Sequence, residues 1–250
     1  MTHEYSRSLQ GCLAVARKEL RSSFCSPVAY IVLVLFLGFT AGWLFLIEGF
    51  FARNMADLRP YFASMPFVLA VLVPAITMRL WAEEYRQGTY ELLNSLPLRE
   101  CELVIGKYLG ALGVLTAAIL LSLTVPLSLA RLGSFDRGQL LSEYIGLLLL
   151  TGAATAIGSL VSSLARNQIS AFLLGVAVLM TLLLVGYATA WAELSPAVRS
   201  LLQYISLQTH FHGFVRGVVD TRDLVYFGVL IVGALYLNTK VLILRKWGGS

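Results

Sequence analysis

Six separate runs of about twenty apolar residues dominate this chain: Val28–Ile47, Tyr61–Met78, Leu103–Leu129, Leu140–Leu164, Ile169–Trp191 and Leu224–Leu244. At 1.5 Å of rise per residue, roughly twenty helical residues cross the ~30 Å hydrocarbon core of a bilayer. Inside lipid, backbone N–H and C=O groups must be satisfied within the segment, so each run is read as a helix. Only 13% of residues are charged and 58% are hydrophobic. Soluble domains carry about 25% charged residues and have no room to hide six such runs. The fold class expected is an all-α integral membrane protein with six transmembrane helices. Pro126, near the end of the third run, removes a backbone donor and is expected to end or break that helix.

Orientation follows the cations. Arg7, Arg17, Lys18, Arg21, Arg79, Arg86, Arg99, Lys107, Arg166, Lys240, Arg245 and Lys246 fall on one side of the runs, twelve of the 19 Lys and Arg residues. The positive-inside rule makes that side cytoplasmic, with both termini inside and the chain in the cell inner (plasma) membrane. These cations are dispersed beside apolar runs, so the net charge of +5 is read as topology and no nucleic-acid partner is expected. The first run begins after more than twenty mostly polar residues without a small-residue cleavage site, and reads as a retained span. Cys12, Cys25 and Cys101 match neither a disulfide framework nor a zinc site. Gly38 with Gly42, Gly106 with Gly110, and the stretch Gly152–Ser159 are candidate close helix crossings.

Three segments lie outside the runs. Residues 1–27 place Leu9, Leu13, Ala16 and Leu20 on one helical face beside Arg17, Lys18 and Arg21, the pattern of an N-terminal amphipathic helix lying on the cytoplasmic membrane surface. In segment 79–102, Glu83, Glu84 and Arg86 cluster, Gly88 permits a break, and Thr89 can cap a short helix. Glu91 then sits where a helix dipole favours an acid. Leu92, Leu93 and Leu96 give that helix an apolar face before Pro97, and such a face needs a partner or the membrane surface. In segment 192–223, Ser195-Pro196 starts one or two short helices at the outer leaflet, and Asp220, Thr221 and Asp223 start the last span.

The stretch Glu83–Leu98, EEYRQGTYELLNSLPL, resembles the cytoplasmic signature of ABC-2-type export permeases, and Phe214–Phe227, FVRGVVDTRDLVYF, resembles the sequence before the last span in their gliding-motility-type branch. The resemblance implies a permease subunit of an ATP-driven ABC exporter. Two permeases, copies or paralogues, would bind two cytoplasmic ABC ATPase subunits, with an accessory membrane subunit and membrane lipid as further partners. It also implies that ATP and magnesium belong to the ATPase, with no cofactor and no metal on this chain. The ATPase-coupling residues it implies are Glu19, in the Val15–Ser22 region, together with Glu83, Glu84, Arg86, Gly88, Thr89, Glu91, Leu92 and Leu93. Ser195–Gly217 would be the re-entrant helices near the exit.

Rival chemistries lack their residues. A phosphate-binding loop needs a glycine-rich turn ending in Gly-Lys-Ser/Thr, but Gly106-Lys107 is followed by Tyr108 and has Cys101 where the leading glycine should be. Lys107 reads instead as a side chain snorkelling from the start of the third span. An ion-coupled secondary transporter usually carries an ionisable residue in mid-span, where a charge costs about 2.5–3.5 kcal/mol, and none stands near the middle of a run. An intramembrane serine protease needs a histidine at membrane depth, and His3, His210 and His212 all lie outside the runs. His210 and His212 alone are too few for a metal site. Ser64, Thr77, Ser122 and Thr155 read as ties between helices. A purely structural membrane anchor is disfavoured by the docking segment.

Overall fold

The computed structural model describes residues 2–51, 57–89, 99–131, 135–191 and 195–248, and these form helices with no strand. In chain order they are α1 (Thr2–Phe24), α2 (Pro27–Gly42, running on through a π-helical turn at Trp43–Ile47), α3 (Arg59–Thr77), α4 (Arg79–Gln87), α5 (Glu100–Ser122), α6 (Thr124–Leu129), α7 (Arg137–Leu164), α8 (Gln168–Trp191), α9 (Pro196–Ile205), α10 (Leu207–Val215) and α11 (Thr221–Gly248). Six helical paths are long and apolar enough to cross a membrane: α2, α3–α4, α5–α6, α7, α8 and α11. They coincide with the six runs. The second is longer than its run, because α4 carries the path nine residues beyond Met78.

Local chemistry accounts for the ends. Ser26 Oγ accepts from the Val28 N–H and Pro27 occupies the first turn of α2, a polar cap before an apolar helix. Asp136 Oδ1 accepts from the Gly138 N–H at 2.8 Å to start α7. The third span does break near Pro126. Proline has no N–H to offer the Ser122 carbonyl, and the Tyr61 hydroxyl donates to that oxygen instead, at 3.3 Å.

Helix α7 is the axle. Some 78% of its most apolar stretch is buried inside the chain, and it packs on α3, α5, α8, α10 and α11. Its small residues allow this, since Thr77 of α3 lies directly over Gly158 and Ile231 of α11 over Gly152. In α2, α8 and α11 only 22% of that stretch is buried, and side chains such as Val34, Leu173 and Val232 face outward. Those faces require lipid or another protein.

Helix α1 leaves Leu13 61% exposed, on a face free to meet lipid. It runs alongside the first half of α5, with Val15 over Gly106, Glu19 over Gly110 and Leu20 over Gly113. The row of glycines offers a groove in which a helix backbone can settle, and that contact decides which face of α1 is covered. At Gly38 and Gly42 an added Cβ would meet open space among the described residues, so neither marks a helix crossing within them.

The expected hydroxyl ties are only partly present. Ser64, Thr77 and Thr155 donate to carbonyls of their own helices. That satisfies the hydroxyl locally, without a second helix. Ser122 does reach across, to Tyr144 at 3.1 Å.

Candidate functional site

At the start of α5, Glu19 of α1 and Glu84 of α4 gather on Lys107, and Lys246 near the end of α11 pairs with Glu100. Lys107, about two helical turns into α5, is only 2% exposed. Its Nζ donates to Glu19 Oε1 of α1 at 2.8 Å and to Glu84 Oε1 of α4 at 2.9 Å, and stands 5.2 Å from the Trp81 ring centroid. Three helices distant in sequence are pinned by one ammonium group. The snorkelling reading of Lys107 is therefore corrected: the carboxylates come to the lysine, so its side chain has no need to reach water.

The glycines make the triad possible. A Cβ at position 110 would stand 2.5 Å from Glu19 Cβ, and one at 106 would stand 2.7 Å from Val15 Cβ. Any side chain there would lift α1 off α5 and take Glu19 away from Lys107. Thr89 completes the cluster. Its hydroxyl donates to the Glu84 carboxylate, so it braces Glu84. The helix it was expected to cap, with Glu91, Leu92 and Leu93, lies outside the described residues.

Gly88 behaves as its sequence position suggests. It ends α4 with φ +69°, a left-handed conformation that glycine adopts without strain, and its N–H closes the last turn on Glu84 and Tyr85 carbonyls. Glu83 and Arg86 stand apart from the triad. They pair with each other at 3.3 Å, with the Arg86 side chain 64% exposed. Glu83 is 23% exposed, so of the two it is Arg86 that offers surface to a partner. The last helix closes over this end. Lys246 Nζ lies 2.6 Å from Glu100 Oε1, and the Arg245 guanidinium sits 4.4 Å above the Tyr85 ring while donating to the Leu164 carbonyl.

At the opposite end α9 and α10 form the two expected short helices. Ser195 makes no side-chain cap for α9, whereas Ser206 caps α10 by accepting from the Thr209 N–H. From α7, Ser142 donates to the Phe214 carbonyl at 3.1 Å and Gln139 to that of Val215 at 3.4 Å, holding the C-terminal end of α10. His210 is fully engaged: Nδ1 lies 2.6 Å from Asp223 Oδ1, Nε2 lies 3.0 Å from the Tyr204 carbonyl, and the ring stacks on Tyr226 at 3.8 Å. That leaves no ring nitrogen for a metal. No cluster of metal-ligating side chains occurs among the described residues.

Two charged residues here escaped the sequence reading. Lys107 reads from the sequence as snorkelling, although it is a lone cation in a glycine-rich apolar helix with two acids upstream. Glu143 on α7 is 1% exposed and accepts from Gln139 Nε2 at 2.9 Å. Nothing in the pattern around it announced burial.

Residues 51–243 match the family model described as ABC-2 family transporter protein. The chain belongs to the ABC-2 transporter family. It is also similar to the probable multidrug ABC transporter permease YbhS of Escherichia coli K12 and to its counterpart in Escherichia coli O157:H7, each 27% identical over 203 residues. Those alignments cover 75% of this chain and 53% of each relative, so the chain spans about half the length of the curated relatives it matches. The family match includes Glu84, Gly88 and Lys107, while α1, with Glu19, precedes it. The chain is thus an ABC-2 permease built on six apolar helices.

Proposed function

We propose that this ABC-2 permease is the membrane-spanning half of an ATP-driven exporter in the cell inner membrane, with both termini cytoplasmic. A separate cytoplasmic ABC ATPase, carrying ATP and magnesium, docks on α1 and on the segment from Glu83 through Leu93. The observation that carries this reading is the Lys107 triad. A partner that moves Glu84 moves α1 and α5 with it, because one buried ammonium joins all three. A second copy or paralogue completes the transporter against the outward faces. The relatives named as multidrug permeases and the apolar span surfaces favour a lipidic or amphipathic cargo. The Glu83–Leu98 and Phe214–Phe227 motifs favour the gliding-motility-type branch, a statement of kinship and not of the task the cell gives it.

Affinity purification of the intact chain from its native membrane tests this. It should retain a subunit that hydrolyses ATP and carries a phosphate-binding loop. Glu84→Lys and Gly88→Pro should insert normally yet lose that subunit or its transport-coupled hydrolysis. Pure protein that moved cargo in liposomes without any nucleotide-driven companion would overturn the reading. That result would favour an ion-coupled carrier, for which the buried Glu143 carboxylate supplies the one specific observation.

A further inference from the structure

The join between α3 and α4 is where the second span becomes the coupling handle, and its backbone is interrupted at Met78. Four residues earlier Pro74 offers no N–H to the Ala70 carbonyl, so the hydrogen-bond ladder is already weakened there. In an unbroken helix the N–H groups of Trp81 and Ala82 point at the carbonyls of Thr77 and Met78. Ser162 of α7 occupies that place. Its Oγ accepts from the Trp81 N–H at 3.2 Å and from the Ala82 N–H at 3.3 Å, and donates to the Met78 carbonyl at 3.1 Å. One hydroxyl therefore uses its proton and both acceptor positions on the backbone of the join. Ser162, Trp81 and Ala82 are all fully buried, so water is not at hand to replace it. A side chain inserted into the helical ladder is a recognised cause of a bend.

One turn back on the same face, Ser159 Oγ accepts from the Trp81 indole N–H at 3.3 Å and from Asn238 Nδ2 of α11 at 2.9 Å. The join is thereby indexed to both α7 and α11.

We propose that Ser162 is a positioning residue: its hydroxyl, wedged into the backbone between Met78 and Ala82, sets the angle at which the α4 handle leaves the second span. This rests on the reading of α4 as the handle only for its consequence in transport. The geometry itself is measured on the permease alone. Without the wedge the ladder reseats and α4 swings. Nine residues make α4 about 13 Å long, so a change of about 20° in the bend moves its tip by roughly 4 Å.

The experiment places spin labels at the exposed Gln87, at the tip of α4, and at Val232 of α11 or Val178 of α8. Cys12, Cys25 and Cys101 are replaced by serine, and the whole chain is held in lipid nanodiscs. Ser162→Ala should displace both label distances by several ångström. Ser162→Thr, which keeps the hydroxyl, should restore them. Ser163→Ala is the control, since the Ser163 hydroxyl donates within its own helix to the Leu160 carbonyl. Should Ser162→Ala fail to insert, Ser162→Gly removes the same hydroxyl with the same expectation. Unchanged distances in a folded hydroxyl-free variant, or an equal displacement in Ser163→Ala, overturn the proposal. Either result leaves ATPase docking untouched, and failure of docking leaves the wedge untouched.

Discussion

Replacing Lys107 by methionine keeps the length and apolar body of the side chain and deletes only its charge. Glu19 and Glu84, whose side chains are each 17% exposed, are then left facing one another across a site built for a cation. Removing one partner of a buried ion pair costs about 3–5 kcal/mol, because the charge left behind is uncompensated. The two carboxylates keep some access to water and can take up a proton, which brings the expectation to about 2–3 kcal/mol. For a chain of this size that corresponds to a fall in melting temperature of roughly 4–12 °C. Neutralising all three members (Lys107→Met with Glu19→Gln and Glu84→Gln) removes the stranded charges. The triple variant should recover most of the loss, since a buried ion-pair cluster is often no more stabilising than a neutral replacement of similar volume. Melting of the purified permease, followed by tryptophan fluorescence, reads both numbers. Trp81 reports directly, its ring lying 5.2 Å from the ammonium. A Lys107→Met variant that melts within 1 °C of the parent, or a triple variant no better than the single one, would refute the view that the triad is a closed electrostatic unit.

Gly110→Val should detach α1, because its Cβ would collide with Glu19 Cβ; limited proteolysis should then cut in the region of Cys12–Phe24, while Gly38→Ala, which meets open space, leaves the digest unchanged. Gly88→Ala should lower stability by about 1 kcal/mol, read in the same melt, since φ +69° suits glycine and strains alanine. A membrane-impermeant maleimide should label the exposed Cys25 and Cys101 only from the cytoplasmic face, and labelling from outside would reverse the topology. Cys12 should lag and speed up as pH rises, because burial, then the Glu102 carboxylate and the Cys101 thiol, push its pKa up and leave little thiolate at neutral pH.

The six spans were legible because apolar length is a one-dimensional property, and lipid leaves the backbone no alternative to a helix. Gly88 was legible too, since a glycine between a charged cluster and a capping residue ends a helix for local reasons. The triad was not. Lys107 sits 88 residues from Glu19 and 23 from Glu84. Only the packing of α1 into the glycine row of α5 brings them together, and that choice of groove is a tertiary decision. The same holds for the serines. Ser122, Ser159 and Ser162 reach neighbours while Ser64, Thr77 and Thr155 fold back on their own helices, and the sequence of an apolar helix does not distinguish the two. Glu91, Leu92 and Leu93 fall outside the described residues.

The span of chain between Glu19 and Lys107 also dictates an order of birth. At 5–20 residues per second a ribosome needs roughly 4–18 s to make the 88 residues separating them. Through that interval the first helix exists while its anchor does not. The newborn segment must wait unmoored while two crossings are threaded into the bilayer. Arrival of the third crossing then fastens Glu19 and Glu84 together, a single proton-bearing amine finding its two acids.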